Sequence, residues 1–283
     1  MTRLRADFLL LLVAVIWGSA FAVQRVAAQH FDVFTFNGLR FLLAGVILLP
    51  LALKSERPSF DKKLWLVALA GSILFLAGGL QQAGLELTTA GNAGFITTLY
   101  VVFVPLILWI FWKEKIGWVS WAAAGLAVLG GLLLSTAGRL QVGRGDLLEL
   151  LGALMWALHV ILVGKAVRKV GVLTFSAGQY LAAGVLNLAV SQFIGESFAG
   201  LVTGWWTIVY IGVLSTTIGY TLQVLGQKYA PPTDAAILLS MEAVFAALFG
   251  FLFLAEMLLP VQIIGCALIL GAILLTQMRG RGL

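Results

Sequence analysis

Glu242 stands in the run "AAILLSMEAVFAALFGFLF", nine residues after Thr233 and with no other acid inside the run. Nine residues of helix rise about 13 Å, which places the carboxyl near the middle of a bilayer-crossing segment. An acid there could exchange protons, hold the ammonium group of a bound molecule, or bridge two helices as a neutral hydrogen-bonding group. Arg40 lies about two turns into another apolar run. Its guanidinium could hold a carboxylate bidentately, but snorkelling to the headgroups or bracing against Glu86 are the favoured readings. Arg25, within a turn of the end of its run, is expected to snorkel.

Aromatic and amide side chains recur at helical spacing in the same kind of run. Trp17 and Gln24 are two turns apart, and Trp156 and His159 stand at i, i+3. Tyr100 with Asn92, Tyr180 with Asn187, and Tyr220 with Gln223 repeat the pattern, and Gln81 occupies a corresponding place. Taken singly, each of these is better read as packing. Together, aromatics with amides and so few charges describe a cavity for a neutral or zwitterionic molecule with an apolar part, with His159 neutral; Arg40 and Glu242 are separate candidates for substrate contact.

Other chemistries find no footing. There is no GxSxG, no HExxH, no Cys–His nucleophile arrangement and no glycine-rich phosphate loop, so catalysis is not expected. One cysteine, Cys266, and two histidines make neither a disulfide framework nor a metal cluster. No cofactor and no metal are expected.

The elements that carry these residues follow from composition. Hydrophobic residues make up 61% of the 283 and charged ones 11%, against roughly 25% charged in a soluble domain; the mean hydropathy is +1.05. Too few charges exist to cover a water-facing surface, so the partner of most of this chain is the lipid bilayer. Ten apolar runs are long enough to cross it, near residues 7–27, 33–53, 64–85, 91–112, 116–136, 146–164, 173–194, 203–226, 233–255 and 259–277, numbered here spans 1 to 10. The expected fold is all-α and integral to the membrane.

Basic residues orient it. With the N-terminus inside, Arg3, Arg5, Lys54, Arg57, Lys62, Lys63, Lys113, Lys115, Lys165, Arg168, Lys169, Lys228, Arg279 and Arg281 fall on the inner side, and only Arg139 and Arg144 on the outer. This asymmetry puts both termini in the cytoplasm and explains the net charge of +6 without nucleic acid. Arg3, Arg5 and the small pair Ala20 and Ala22 imitate a secretory signal, but the full counterpart of that segment at 146–164 argues for a retained span.

The chain repeats itself. At an offset of 139, Asp7, Trp17, Thr35 and Phe36 meet Asp146, Trp156, Thr174 and Phe175; at 142, Leu80, Gln81, Gly84 and Glu114 meet Leu222, Gln223, Gly226 and Glu256. Residues 1–137 and 138–283 are therefore read as two five-span repeats. An odd number of spans obliges the second to insert upside down, giving two inverted halves around a central cavity. Asp7, Asp146 and Asp234 are expected to open helices, and Glu114 and Glu256 to cap a neighbour or pair locally. Ala127/Gly131 and Ala267/Gly271 have small-xxx-small spacing, for packing within a monomer or, second, a weak homodimer.

Ten helices in two repeats, an early tryptophan in the first span of each, and a glutamate closing the fourth ("FWKEK", "FLAEM") resemble the drug/metabolite transporter superfamily and, more narrowly, its EamA-type exporters. The resemblance covers essentially the whole chain. It implies a cavity lined by spans 1 to 4 and 6 to 9, spans 5 and 10 at the back, and alternating-access transport of small metabolites. Similarity to bacterial exporters of aromatic amino acids implies amino acids as cargo, in an inner membrane. Members often carry Glu-Pro in the ninth span; here Ala243 follows Glu242, so no proline is present to break that helix. With no second acid read mid-span, Glu242 is expected to touch substrate in a facilitative carrier, the alternative being a proton-coupled exporter of drugs or other amphipathic molecules.

Overall fold

The computed structural model describes residues 1–55, 64–136, 143–254, 257 and 259–280. Of the charges used above, Arg57, Lys62, Lys63, Arg139, Arg281 and Glu256 lie outside the described residues, as does the side chain of Arg279. The spans are Arg3–Ala27, Val33–Ser55, Leu64–Leu85, Ala90–Thr98 with Tyr100–Trp112, Trp118–Thr136, Arg144–Val170, Val172–Ile194, Leu201–Val209 through Tyr210–Tyr220 to Thr221–Gln227, Pro232–Leu239 with Met241–Leu254, and Pro260–Gly280. Among the described residues, eight helices are long and apolar enough to cross a bilayer, and Trp118–Leu133 and Pro260–Thr276 are shorter apolar helices.

Local chemistry sets the ends. Span 1 begins at Arg3 because Thr2 accepts the Arg5 backbone N–H. Asp7 is therefore a turn inside the helix and does not cap it, contrary to expectation. It takes Arg3 Nε at 2.7 Å instead, and Arg3 Nη2 reaches Asp234 at 3.0 Å. Asp146 does cap, accepting the Gly143 N–H at 2.8 Å. Span 6 continues to Val170, beyond the expected 164, because Lys165, Arg168 and Lys169 are good helix formers. Cations are also favoured at that end by the dipole, and Gly171 (φ 95°) terminates the helix.

The tightest pairings are spans 2 with 7, 5 with 10, 3 with 6 and 1 with 9. Exchanging each span with the one five places along maps the first two pairs onto themselves. The other two map onto 8 with 1 and 4 with 6, which are also in contact. That is the pairing two five-span repeats produce. Spans 5 and 10 form the back and rest chiefly on spans 4 and 9. They approach so closely that a Cβ on Gly130 would stand 2.5 Å from the Gly265 carbonyl oxygen. Gly131 packs on Phe95 within the chain, whereas Gly271 faces open space.

Spans 4 and 9 are both broken, at Leu99 and Ser240. The break that the absent proline left unexpected has another cause. Thr98 Oγ1 donates to the Phe95 carbonyl and Ser240 Oγ to the Ile237 carbonyl, each at 2.7 Å. Hydroxyls bonded back onto the preceding turn compete with the backbone ladder and bend helices. Thr98 and Phe95 meet Ser240 and Ile237 at the offset of 142, so both halves use one device. Span 8 carries a different irregularity, a π-helix over Tyr210–Tyr220.

Candidate substrate cavity

The breaks aim two dissimilar side chains at one place. Tyr100 restarts span 4 and Glu242 sits in the first turn after the break of span 9. The Tyr100 hydroxyl faces the Glu242 carboxyl without reaching hydrogen-bonding geometry. Around them lies a cavity walled by Trp17, Gln24, Arg40, Gln81, Tyr100, Trp156, Tyr220, Gln223 and Glu242, with Ala20, Phe21, Thr97, Val160 and Ser215 filling the gaps. It leaves about 30 Å³ for the centre of a water molecule, enough for about two waters. A ligand pocket needs several hundred Å³. The structure is thus closed around its centre.

Tyr220, near the end of the π-helix, joins the halves. Its ring lies 4.6 Å from Trp17 and 5.8 Å from Trp156, the latter stacked at 24°. Trp17 Nε1 donates to the Ser215 carbonyl inside the π stretch at 3.3 Å. His159 and Tyr180, expected on the wall, stand behind Tyr220, 6.1 and 6.3 Å from its ring. His159 Nε2 meets Gln179 Oε1 at 2.9 Å, and the Tyr180 hydroxyl meets Thr221 Oγ1 at 3.3 Å. Partners on spans 7 and 8 hold both away from the cavity.

Arg40 neither snorkels nor meets Glu86, which corrects the favoured reading. It is 1% exposed and faces the cavity. Its Nε donates to Asn37 Oδ1 at 2.8 Å, and Phe41 and Phe36 lie 4.5 and 5.5 Å from the guanidinium carbon. Cation–π contact and the fixed amide offset part of the cost of removing that charge from water. Its Nη2 and Glu242 Oε1 are both buried without partners. The wall therefore carries one cation and one acid, each with a free bonding position.

Sequence reasoning passed over Asn37, which orients Arg40, and Glu149 on span 6, which is completely buried. Glu149 is a second buried acid in the spans, placed near the end of span 6 and not mid-span. A signal existed: Glu149 interrupts the apolar run "LLELLGAL" one turn after Asp146. Its nearness to the end of the span hid its burial, which comes from the packing of spans 3 and 4.

At the two faces, different contacts hold the spans. On the face carrying the termini, Arg3–Asp234 ties span 1 to span 9, and Lys165–Glu114 at 3.3 Å ties span 6 to span 4. The expected local pairing of Glu114 is thus to a neighbouring span. On the opposite face Glu196 accepts the Phe34 and Thr35 N–H groups, and Arg25 donates to the Leu85 carbonyl instead of snorkelling. A vestibule of about 720 Å³, lined by Arg25, Asp32 and Glu86 among others, opens there.

The EamA-like transporter family matches this chain twice, over residues 4–136 and 143–278. A transporter of Archaeoglobus fulgidus, itself uncharacterized, is 34% identical over 277 residues, covering 98% of this chain and 87% of its own. The uncharacterized inner membrane transporter YedA of Escherichia coli K12 is 26% identical over 274 residues, covering 93% and 88%. A crystal structure at 19% identity covers 98% of both chains with a TM-score of 0.80, a likeness of fold.

Proposed function

Because this chain belongs to the EamA-like transporter family, we propose that the small molecules it carries are amino acids, foremost those with aromatic or apolar side chains. It is a multi-pass membrane protein and a transporter of small molecules. One observation carries the finer reading: a single cavity presents an unpartnered guanidinium nitrogen of Arg40, an unpartnered carboxyl oxygen of Glu242 and a wall of Trp17, Trp156 and Tyr220. A zwitterion with an apolar side chain complements that set: Arg40 takes the carboxylate, Glu242 the ammonium, and the rings the side chain.

Transport proceeds by alternating access, the two halves rocking about the cavity. Orientation follows from the basic residues, with the termini in the cytoplasm and the vestibule outside an inner membrane. Cysteine labelling in whole cells tests this: a periplasmic C-terminus would overturn it.

The test of cargo is exchange of labelled phenylalanine, tryptophan or leucine in liposomes holding the purified protein. Saturable exchange is expected, and Glu242→Gln should weaken exchange and gradient-driven flux together because both need binding. Exchange of none of the three would end the amino-acid reading. A second reading, export of amphipathic molecules, is favoured by an apolar groove of about 330 Å³ between spans 1, 8 and 9, where Trp206 and Phe253 are exposed. Competition by an amphipathic cation but not by phenylalanine would support it.

A further inference from the structure

Glu149 lies outside the cavity wall and the binding set does not use it. Thr97 Oγ1 donates to Glu149 Oε2 at 3.1 Å and accepts from Gln81 Nε2 at 3.2 Å. Thr97 and Gln81 both line the cavity. The other oxygen, Oε1, is buried without a partner. It rests over Gly84 of span 3, where a Cβ would come within 2.7 Å of it. A side chain at position 84 would displace the carboxyl from this place.

Among the described residues, the charges that bear on Glu149 are acids. Asp146 stands one turn earlier on span 6, and Glu242 acts across the cavity from span 9. Spans 3 and 4, packed on its face, present the uncharged Gln81, Gly84 and Thr97. A buried carboxylate with one hydroxyl donor and acidic neighbours is not one half of a structural ion pair. A bound proton is what removes its charge. Asp146 accepts from Thr88 Oγ1 at 2.9 Å, at the partly exposed end of span 6 on the face opposite the termini. Glu149 thus lies between an acid near solvent and the acid of the cavity.

We propose that Glu149 is a proton-binding site reached from the face opposite the termini, and that its occupancy is coupled to the cavity through Thr97 and Gln81. The inference rests on the reading of this protein as an amino-acid carrier. A hydroxyl has one donor and two acceptor positions. While Glu149 is ionised, the Thr97 hydrogen points at Oε2. Once a proton from the outer water sits on the carboxyl, its O–H donates to Thr97 Oγ1 and turns the Thr97 hydrogen toward the cavity. Opening to the other face releases the same proton there, so one proton enters as substrate leaves.

Two measurements test this. In liposomes, wild-type protein should concentrate labelled phenylalanine under a pH gradient. Glu149→Gln should lose at least about tenfold of that accumulation while keeping exchange within about twofold, since a neutral isostere mimics the protonated acid. Equal accumulation by wild type and Glu149→Gln, or wild-type exchange that ignores the gradient, would overturn the proposal. Infrared spectra of the protein in vesicles provide an arm that needs no substrate. A protonated-carboxyl band, present in wild type and missing in Glu149→Gln, should fade as the pH is raised; a band that is absent or unchanged overturns the proposal. Should Glu149→Gln fail to fold, Glu149→Asp serves instead and should move the band and its midpoint. No phenylalanine exchange by wild type would sink the amino-acid reading, and the infrared titration would then decide Glu149 alone.

Discussion

Asn37 holds Arg40 by a 2.8 Å bond from Nε to Oδ1, and the amide is itself pinned by Nδ2 to the carbonyls of Val33 at 3.0 Å and Gly78 at 3.1 Å. The guanidinium plane is thereby set by the backbones of two spans, and Nη2 is left unbonded beside the cavity.

Arg40→Lys keeps the charge but loses the planar fork and the Asn37 bond. Substrate affinity should fall about tenfold or more, on the scale of one charged hydrogen bond, about 1.5–3 kcal/mol. Binding of labelled amino acid to the purified variant measures it, and unchanged affinity would remove Arg40 from the binding set.

The tryptophans are tested singly. Trp17→Ala and Trp156→Ala each break a ring contact with Tyr220 and take away part of the wall. Aromatic pairs are worth about 0.5–1.5 kcal/mol beyond area, so transport should drop at least severalfold while size-exclusion profiles stay monodisperse. Normal transport in both variants would make these rings packing residues.

The termini-side ion pairs are partly exposed, and such pairs contribute about 0–1 kcal/mol each. Arg3→Gln or Lys165→Gln alone should therefore do little. Together they release spans 1 and 6 from spans 9 and 4, and Lys165 also from the Trp112 ring 3.9 Å away. In a Cys266→Ser background, a cysteine replacing Val160 on the cavity wall should react severalfold faster with an impermeant maleimide in the double variant. Equal rates would show that these pairs do not hold that face shut.

Glu86, just past the end of span 3, has its carboxyl pushed above the usual range by partial burial, then by Asp32 and Glu196. An acid raised on folding stabilises the folded form below its ordinary range and loses that contribution as pH rises through the folded value. Glu86→Gln should thus raise Tm slightly at pH about 8 and leave it unchanged at pH about 4. The gain is small because the group is half-exposed. A larger gain at acid pH would contradict the sign.

Much of the fold was legible because its signals are local. Span length, basic asymmetry and the offsets of 139 and 142 need no knowledge of neighbours. Trp17, Trp156, Tyr220 and Glu242 were found as candidates because an aromatic or acid within an apolar run stands out on one helix. What failed were inferences about the surroundings of particular residues. Arg40 looked able to reach water, but span 3 packs over it at Gly78, where a Cβ would stand 3.2 Å from Nη2. Span 9, with no proline after Glu242, was not expected to break, but Ser240 bends it.

The sequence by itself determined that this chain lives in lipid, crosses it about ten times and repeats its first half in its second, since hydropathy and repetition are properties of consecutive residues. Tertiary structure alone decided that His159 and Tyr180 stand behind Tyr220, and that Arg40 and Glu242 share one wall. It alone also enclosed Glu149 between Gly84 and Thr97. Burial of a polar atom is set by groups tens of residues away in the chain, and only the packing of spans brings those groups within bonding distance.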